Sequence, residues 1–263
     1  MIIPVKNEAA SIIKTLDNCK ELNVDLIIPV LNGCEDASKE LILSHPLLEK
    51  IKIIEFSKPL GIDIPRAVGA AYAYKSGAGT FLFLDGDMQG KIAPHLRKLI
   101  HSVNYEQTDV ALTNCYPYIT LRSSTANTVL RYRERLNRSL GLFSSLGLAN
   151  PSHGPHAISR RLLEYVPWKA LAIPPLSLAM AAANLLKIQV AASIPHDLLL
   201  SPLRDDNHSA LIAETIIGDC LEAISYLEGK PLNREEGGIR YLGYHPYRKF
   251  ELLEEYLKAL EIK

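Results

Sequence analysis

The chain has 263 residues, of which 48% are hydrophobic and 22% charged, a balance that suits a single well-cored α/β domain and excludes a disordered or fibrous chain. Lys plus Arg and Asp plus Glu are equal at 29 each, so no global field favours nucleic acid or an acidic membrane, and only local charge can select a partner. Cys19, Cys34, Cys115 and Cys220 are widely spaced with no Cys-x-x-Cys pair, which excludes a zinc ribbon or disulfide framework and suits a reducing cytoplasm.

Residues 2–5 read as a strand, and residues 9–22 as a helix with Ile12, Ile13, Leu16 and Cys19 on one face. Residues 25–30 form a second strand, after which Asp36 caps a helix carrying Leu41 and Ile42. Residues 51–56 are a third strand, and 63–76 a helix with Pro65 tolerated in its first turn. Residues 81–84 are a fourth, wholly apolar strand, followed by a helix over 93–103 and a fifth strand over 110–115. The second half is less regular. Residues 122–140 make a basic helix, 150–156 a Pro/Gly/His loop, 162–166 and 176–186 helices, and 188–194 a strand. Helices over 210–227 and 249–262 close the chain; the apolar stripe Leu252, Leu253, Tyr256 and Leu260 of the last could pack on the core or form a homodimer. The chain opens on its first core strand with no signal peptide in view. Its longest nearly apolar tract, 171–186, is interrupted by Pro174, Pro175, Ser177 and Asn184, so the expectation is a soluble cytoplasmic protein.

Strand–helix alternation predicts a mostly parallel sheet covered by helices, with ligands bound outside the carboxyl ends of the strands. The first strand ends in Pro4-Val5-Lys6-Asn7-Glu8, and the second in Asn32-Gly33-Cys34-Glu35-Asp36. The fourth stops at Asp85-Gly86-Asp87, two carboxylates that point the same way because side chains alternate along an extended segment. Such a pair repels itself unless a hard cation such as Mg²⁺ or Mn²⁺ sits between the oxygens. An Asp-Gly turn is the plain alternative. Later candidates are the loop residues His153, Gly154 and His156, the basic residues Arg131, Arg135, Arg138, Arg160 and Arg161, and His196 just after the 188–194 strand.

The order of these motifs resembles the family 2 glycosyltransferases of the GT-A type, a Rossmann-like α/β fold. The resemblance rests on Pro4 to Glu8, Asn32 to Asp36, Arg66-Ala-Val-Gly69 and Phe83-Leu-Asp-Gly-Asp87, with Gln89 following. It implies that Pro4, Val5, Asn7, Glu8, Asn32 and Gly33 bind the nucleotide. Gly86 would also lie on the nucleotide, Arg66 would approach the diphosphate or sugar, Asp85 the ribose or sugar hydroxyls, and Asp87 the metal. The second half looks more distantly like retaining glucosyl-3-phosphoglycerate synthases, in which Gln-Val is followed by a metal-binding His; here Gln189-Val190 precedes His196. His153 and His156 compete for that role, although their Gly-Pro loop suits an acceptor site formed with Gly154 and Arg160. Residues 1–120 would hold the nucleotide sugar, and 121–263 the acceptor, within one continuous domain.

The implied activity is metal-dependent transfer of a hexose, UDP-glucose favoured as donor, to a small phosphorylated or carboxylated acceptor. Residues 172–182 carry no acid where inverting relatives place a general base, so retention is favoured. A nucleotide-sugar-binding protein that has lost transfer is the non-enzyme alternative. A haloacid-dehalogenase-like phosphohydrolase also uses Asp-x-Asp, but on its first strand and with a Thr where this chain has Met88. A dinucleotide-dependent oxidoreductase is excluded because Lys6-Asn7-Glu8 offers no glycine after the first strand.

Overall fold

In the computed structural model, which describes residues 1–118, 123–202 and 205–262, seven strands form one sheet. They are β1 (Ile2–Val5), β2 (Ile28–Asn32), β3 (Ile54–Phe56), β4 (Thr80–Phe83), β5 (Val110–Asn114), β6 (His156–Ser159) and β7 (Ile188–Ser193), in the order β3-β2-β1-β4-β6-β5-β7. All neighbours are parallel except β6, which runs antiparallel to both β4 and β5. The helices are α1 (Ile12–Lys20), α2 (Ser38–Leu43), α3 (Ile64–Lys75), α4 (Ala93–Tyr105), α5 (Ser124–Ser139), α6 (Phe143–Leu146), α7 (Leu162–Tyr165), α8 (Trp168–Leu171), α9 (Pro174–Ala183), α10 (Asp206–Leu227) and α11 (Phe250–Ala259). A short hairpin, β8 (Glu235–Glu236) with β9 (Ile239–Arg240), precedes α11.

Strand alternation sorts the core into two layers. Ile2, Ile28, Val30, Phe81 and Phe83 pack on one face with residues of α3, α8, α9 and α11. Ile3, Val5, Leu31, Leu82 and Leu84 pack on the other with residues of α1, α2 and α4. Both faces are covered, which is why the strands read as unbroken apolar runs; each buried Ile, Leu or Phe stabilises the fold by roughly 1.5–3 kcal/mol. Gly69 lets α3 lie directly on the sheet, since a Cβ there would come within 2.5 Å of Ile2 Cγ2.

The second strand departs from its expected span of 25–30. Asp25 is exposed, and β2 instead runs through buried Val30 and Leu31 to Asn32. Strand β6 lies where no strand is expected. It has four residues, only two of them apolar, and it is buried because β4 and β5 flank it. Arg122, placed at the start of the basic helix, lies outside the described residues; α5 begins at Ser124, where the Ser123 side chain accepts a hydrogen bond from the Ala126 N–H. The apolar stripe of α11 is used within the chain: Leu253 is fully buried, Leu252 and Tyr256 pack on the same core, and Tyr256 meets Phe56 edge-on at 5.9 Å. Among the described residues, no helix is long and apolar enough to cross a membrane.

Candidate active site

The turn after β4 is pulled against the end of β1. The Gly86 N–H donates to the Pro4 carbonyl at 3.2 Å, and a Cβ on Gly86 would sit 2.8 Å from that oxygen. From α1, Thr15 Oγ1 lies 2.9 Å from the Gly86 carbonyl and 3.1 Å from that of Met88. Asn18 caps α4, accepting from Ile92 N at 2.9 Å and donating to the Gly90 carbonyl at 2.8 Å. Gly86 and Met88 are therefore buried, while Asp85 and Asp87 face the open edge half-exposed.

The two carboxylates have different partners. Arg66, in the first turn of α3, donates through Nη2 to Asp85 at 2.6 Å and through Nη1 to the Pro151 carbonyl at 3.1 Å, and its Nε lies 3.4 Å from Asp63. Burial alone would lower the Arg66 pKa, but Asp85, Asp63 and Asp87 outweigh it and hold the guanidinium above its ordinary value. Asp87 instead accepts from Ser201 Oγ at 3.3 Å.

At the ends of β1 and β2, the Glu8 carbonyl opens α1 by accepting from Ser11 N and Ile12 N, and its side chain accepts from Ser11 Oγ at 2.8 Å. Its own N–H donates to Ser38 Oγ of α2 at 2.8 Å. Glu8 and Val5 are buried supports, whereas Pro4, Asn7 and Asn32 form the accessible rim. Asn7 adopts a left-handed φ of 56° and accepts from Glu35 N at 2.8 Å. Lys6 Nζ donates to the Gly33 carbonyl. Asn32 accepts from Leu60 N at 2.6 Å and donates to the Gly61 carbonyl at 3.2 Å, so its amide orders the loop between β3 and α3.

The segment after β7 lies across the aspartate turn. Gly90 N donates to the Leu199 carbonyl at 3.0 Å, and a Cβ on Gly90 would fall 1.9 Å from the Leu198 carbonyl oxygen. His196 N is fixed by the Cys115 carbonyl at 3.0 Å. The ring nitrogens His153 Nε2 and His196 Nδ1 are 3.0 Å apart, and Tyr116 stacks on both rings, with centroids at 5.4 and 6.3 Å. Close packing, then the charge of Arg133, holds the His153 pKa well below its usual range. Its imidazole is therefore neutral at ordinary pH, and a neutral imidazole can accept a proton or join carboxylates around a cation. His196 is exposed and engages His153 through Nδ1.

Two other expected acceptor residues lie at opposite ends of β6, His156 beside Arg66 and Pro151 and Arg160 far from them. His156 is the first residue of β6, 7% exposed and stacked on Phe83 at 4.7 Å, with its Nδ1 unpartnered. Arg160 lies at the other end of the sheet because β6 is antiparallel to β4; it donates to the Tyr74 and Ala78 carbonyls and sits 3.6 Å above the Tyr74 ring. Burial pushes the His156 pKa down to about 3. The unfolded chain takes up a proton near 6.5 that the folded chain refuses until far lower pH, so stability falls as pH drops through that window. At pH 4.5 the loss is about 2.7 kcal/mol, at about 1.36 kcal/mol per pH unit. His156→Phe is expected to remove this acid sensitivity in urea melts at pH 7 and 4.5; an unchanged pH dependence would assign it to other groups.

One buried residue beside these rings is absent from the sequence-based expectations. Arg131, Arg135 and Arg138 are exposed and used at the surface: Arg138 pairs with Glu134 at 2.6 Å, Arg135 with Glu236, and Arg131 donates to Thr128. Arg133 lies on the opposite face of α5, only 2% exposed among Val129, Leu130 and Leu136. It donates to Tyr116 Oη at 3.3 Å and to Ser152 Oγ at 3.1 Å, and its Nε has no hydrogen-bond partner. Among the described residues no carboxylate pairs with it. The signal was present in the sequence, as an arginine at i+3 and i+4 from an apolar stripe.

A mostly parallel sheet with one antiparallel strand before the last pair, and a paired-aspartate turn on its central strand, defines a nucleotide-sugar transferase fold of the GT-A type. The sequence model of glycosyl transferase family 2 matches residues 1–165, and the chain belongs to that family. No curated protein sequence matches the chain. Among solved structures it is similar to Mycobacterium tuberculosis glucosyl-3-phosphoglycerate synthase in complex with Mn²⁺, UDP and glucosyl-3-phosphoglycerate. That match has a TM-score of 0.58 and 15% identity, covering 87% of this chain and 79% of that one. The same enzyme with Mn²⁺, UDP-glucose and phosphoglyceric acid matches with a TM-score of 0.59, 15% identity and coverages of 87% and 79%. With Mg²⁺ and UDP the values are 0.56, 15%, 87% and 78%. At this identity the likeness establishes the fold.

Proposed function

We propose that this glycosyltransferase moves glucose from UDP-glucose to a small anionic acceptor, with retention at the anomeric carbon and with Mg²⁺ or Mn²⁺ held by Asp87 and His196. The observation that carries the reading is the division of labour in the aspartate pair. Arg66 neutralises Asp85, whereas Asp87 sits against the segment that carries His196 and Ser201. One carboxylate and one imidazole form a donor set that fits either ion when the nucleotide's phosphates complete the shell. The metal complexes of the structural neighbours, with UDP and UDP-glucose, support the same assignment.

A divalent ion at this position would supply Lewis-acid stabilisation to a departing diphosphate. The chain's own residues do the rest. The Pro4, Asn7 and Asn32 rim receives the base, and the Arg66 guanidinium offers a second fixed positive charge near the phosphates. Asp85, held by Arg66, orients the sugar hydroxyls. No carboxylate lies in α9 or the residue pair before it, so no general base is available there for an inverting attack. The leaving phosphate oxygen then takes the acceptor's proton, and configuration is retained. Arg133, buried with no carboxylate partner among the described residues and bracketed by Tyr116 and Ser152 next to His153, supports an acceptor that carries a carboxylate or phosphate. Four free thiols, three of them buried, fit a cytoplasmic setting.

The absence of a carboxylate in α9 also favours a second reading, a protein that binds the nucleotide sugar without transferring it. Membership of the glycosyltransferase family replaces the phosphohydrolase reading. Incubating the protein with labelled UDP-glucose, Mn²⁺ and matched acceptors with and without a phosphate or carboxylate separates the two. Labelled product only with the anionic acceptors, carrying an α-anomeric proton signal, is the expected result; tight UDP binding with no product would establish the second reading. In the same assay His196→Ala should raise the half-saturating Mn²⁺ concentration by roughly tenfold or more, and an unchanged value would remove His196 from the metal shell.

A further inference from the structure

Residues 234–249 lie outside the stretch matched by the family model, yet they reach the aspartate turn through buried charge. Arg234 donates to Asp219 at 2.7 Å and to Glu222 at 3.1 Å. Arg248 grips both oxygens of Asp219, each at 2.7 Å, and through Nη2 also donates to Asp63 at 3.0 Å. Asp63 faces Arg66, and Arg66 holds Asp85. The row Glu222, Arg234, Asp219, Arg248, Asp63, Arg66, Asp85 thus alternates in sign. It is buried along its length and opens to solvent only at Asp85, whose side chain is 31% exposed against 0% for Arg248 and 13% for Asp63.

The metal-like grouping of Asp219, Glu222 and His245 within this row is already served by two guanidiniums, so it is an ion-pair network rather than a cation site. Its backbone is equally committed. Lys249 N donates to the Leu60 carbonyl at 2.8 Å, and a Cβ on Gly61 would lie 2.3 Å from the Tyr247 carbonyl oxygen. The loop between β3 and α3 is therefore clamped from two sides, by Asn32 on the donor side and by residues 247–249 on the other. At the end of that loop Asp63 adopts φ of 61°, a left-handed conformation that a non-glycine residue holds only when its surroundings impose it.

We infer that Arg248 is a positioning residue for the donor site: by fixing Asp63 it sets the orientation of Arg66, and through Arg66 that of Asp85. Arg66 has three directions to satisfy, and Asp63 occupies the Nε side. With Asp63 held, Nη2 is directed to Asp85 and Nη1 to Pro151. With Asp63 released, the guanidinium can turn fully onto Asp85 and away from the diphosphate, which weakens UDP binding, and the carboxylate is no longer presented to the sugar. A lysine at position 248 keeps the charge that Asp219 requires, but its single ammonium cannot serve the two oxygens of Asp219 and also Asp63 in the arginine's planar geometry.

The inference rests on the donor reading above, and its test separates the two. UDP binding in the presence of Mn²⁺ is measured by calorimetry for the wild type, Arg248→Lys, Asp63→Asn and the double variant, with thermal melts alongside. Each single variant should weaken UDP binding about tenfold, and the double variant should be no weaker than Asp63→Asn alone, because Arg248 acts through Asp63. Losses that multiply in the double variant, or a folded Arg248→Lys protein with wild-type affinity, would overturn the positioning role. If Arg248→Lys does not fold, Asp63→Asn alone decides, since it keeps the Arg248–Asp219 pair; unchanged UDP affinity there overturns the inference. Failure of the wild type to bind UDP with Mn²⁺ would overturn the donor reading itself.

Discussion

Asp87→Asn is expected to abolish Mn²⁺-dependent UDP binding while leaving the fold intact. Asp87 is half-exposed at the open edge of the sheet, so replacing one oxygen by an amide removes little packing. It does remove the anionic oxygen that a hard cation requires. The lost electrostatic stabilisation of a bound diphosphate is several kcal/mol, and each 1.4 kcal/mol is tenfold in affinity, so a fall of about 100-fold or more is expected. Calorimetry with UDP at saturating Mn²⁺, with a thermal melt as control, reads both quantities. Asp85→Asn should behave differently: it removes the anionic partner of Arg66 and should damage sugar transfer while metal-dependent UDP binding persists.

Arg133→Met separates binding from stability. A guanidinium buried at 2% exposure with no carboxylate partner among the described residues carries an uncompensated desolvation cost. A long apolar side chain at that position is expected to leave the melting temperature unchanged or to raise it. The acceptor should suffer the opposite effect. Truncating one partner of a buried, hydrogen-bonded charge pair costs about 2–5 kcal/mol, which corresponds to an increase of at least about 30-fold in KM for an anionic acceptor. The KM for UDP-glucose should change little, because Arg66 rather than Arg133 faces the aspartate turn. A destabilised variant with normal acceptor KM would make Arg133 a structural residue.

What could be read from the sequence follows the range of the interactions. Strands β1, β2 and β4 are buried on both faces and end in Asn-Glu, Asn-Gly and Asp-Gly, so their identity and the edge they deliver to were legible from composition alone, within a few residues at β2. Strand β6 was not, because four residues with two apolar positions give no periodic signal and its burial is imposed by β4 and β5. That one omission hides both the burial of His156 and the placement of Arg160. A loop at 150–156 leaves them near the site, whereas an antiparallel strand buries the first and carries the second to the far edge. The exposed arginines of α5 attracted notice by number, although the one that faces inward is Arg133. The Arg248–Asp63 contact joins residues 185 positions apart, and no local pattern announces a pairing at that separation.

The pair His153–His196 shows the same limit from the other side. Both residues were singled out as rivals for one role, yet the structure sets their ring nitrogens 3.0 Å apart under a shared Tyr116. A neutral His153 beside Arg133 can fix the tautomer of His196, and in the proposed site it would also face the acceptor.

The central claim is that Asp87 and His196 hold the metal of a UDP-sugar site while Asp85 stays with Arg66. A crystal structure of the protein soaked with UDP and Mn²⁺ tests it most directly. The expected map shows one ion within about 2.0–2.4 Å of a carboxylate oxygen of Asp87 and an imidazole nitrogen of His196, with the diphosphate bound to it and the base against Pro4, Asn7 and Asn32. An ion bound by Asp85 instead, or a nucleotide seated away from the carboxyl ends of β1, β2 and β4, would contradict it.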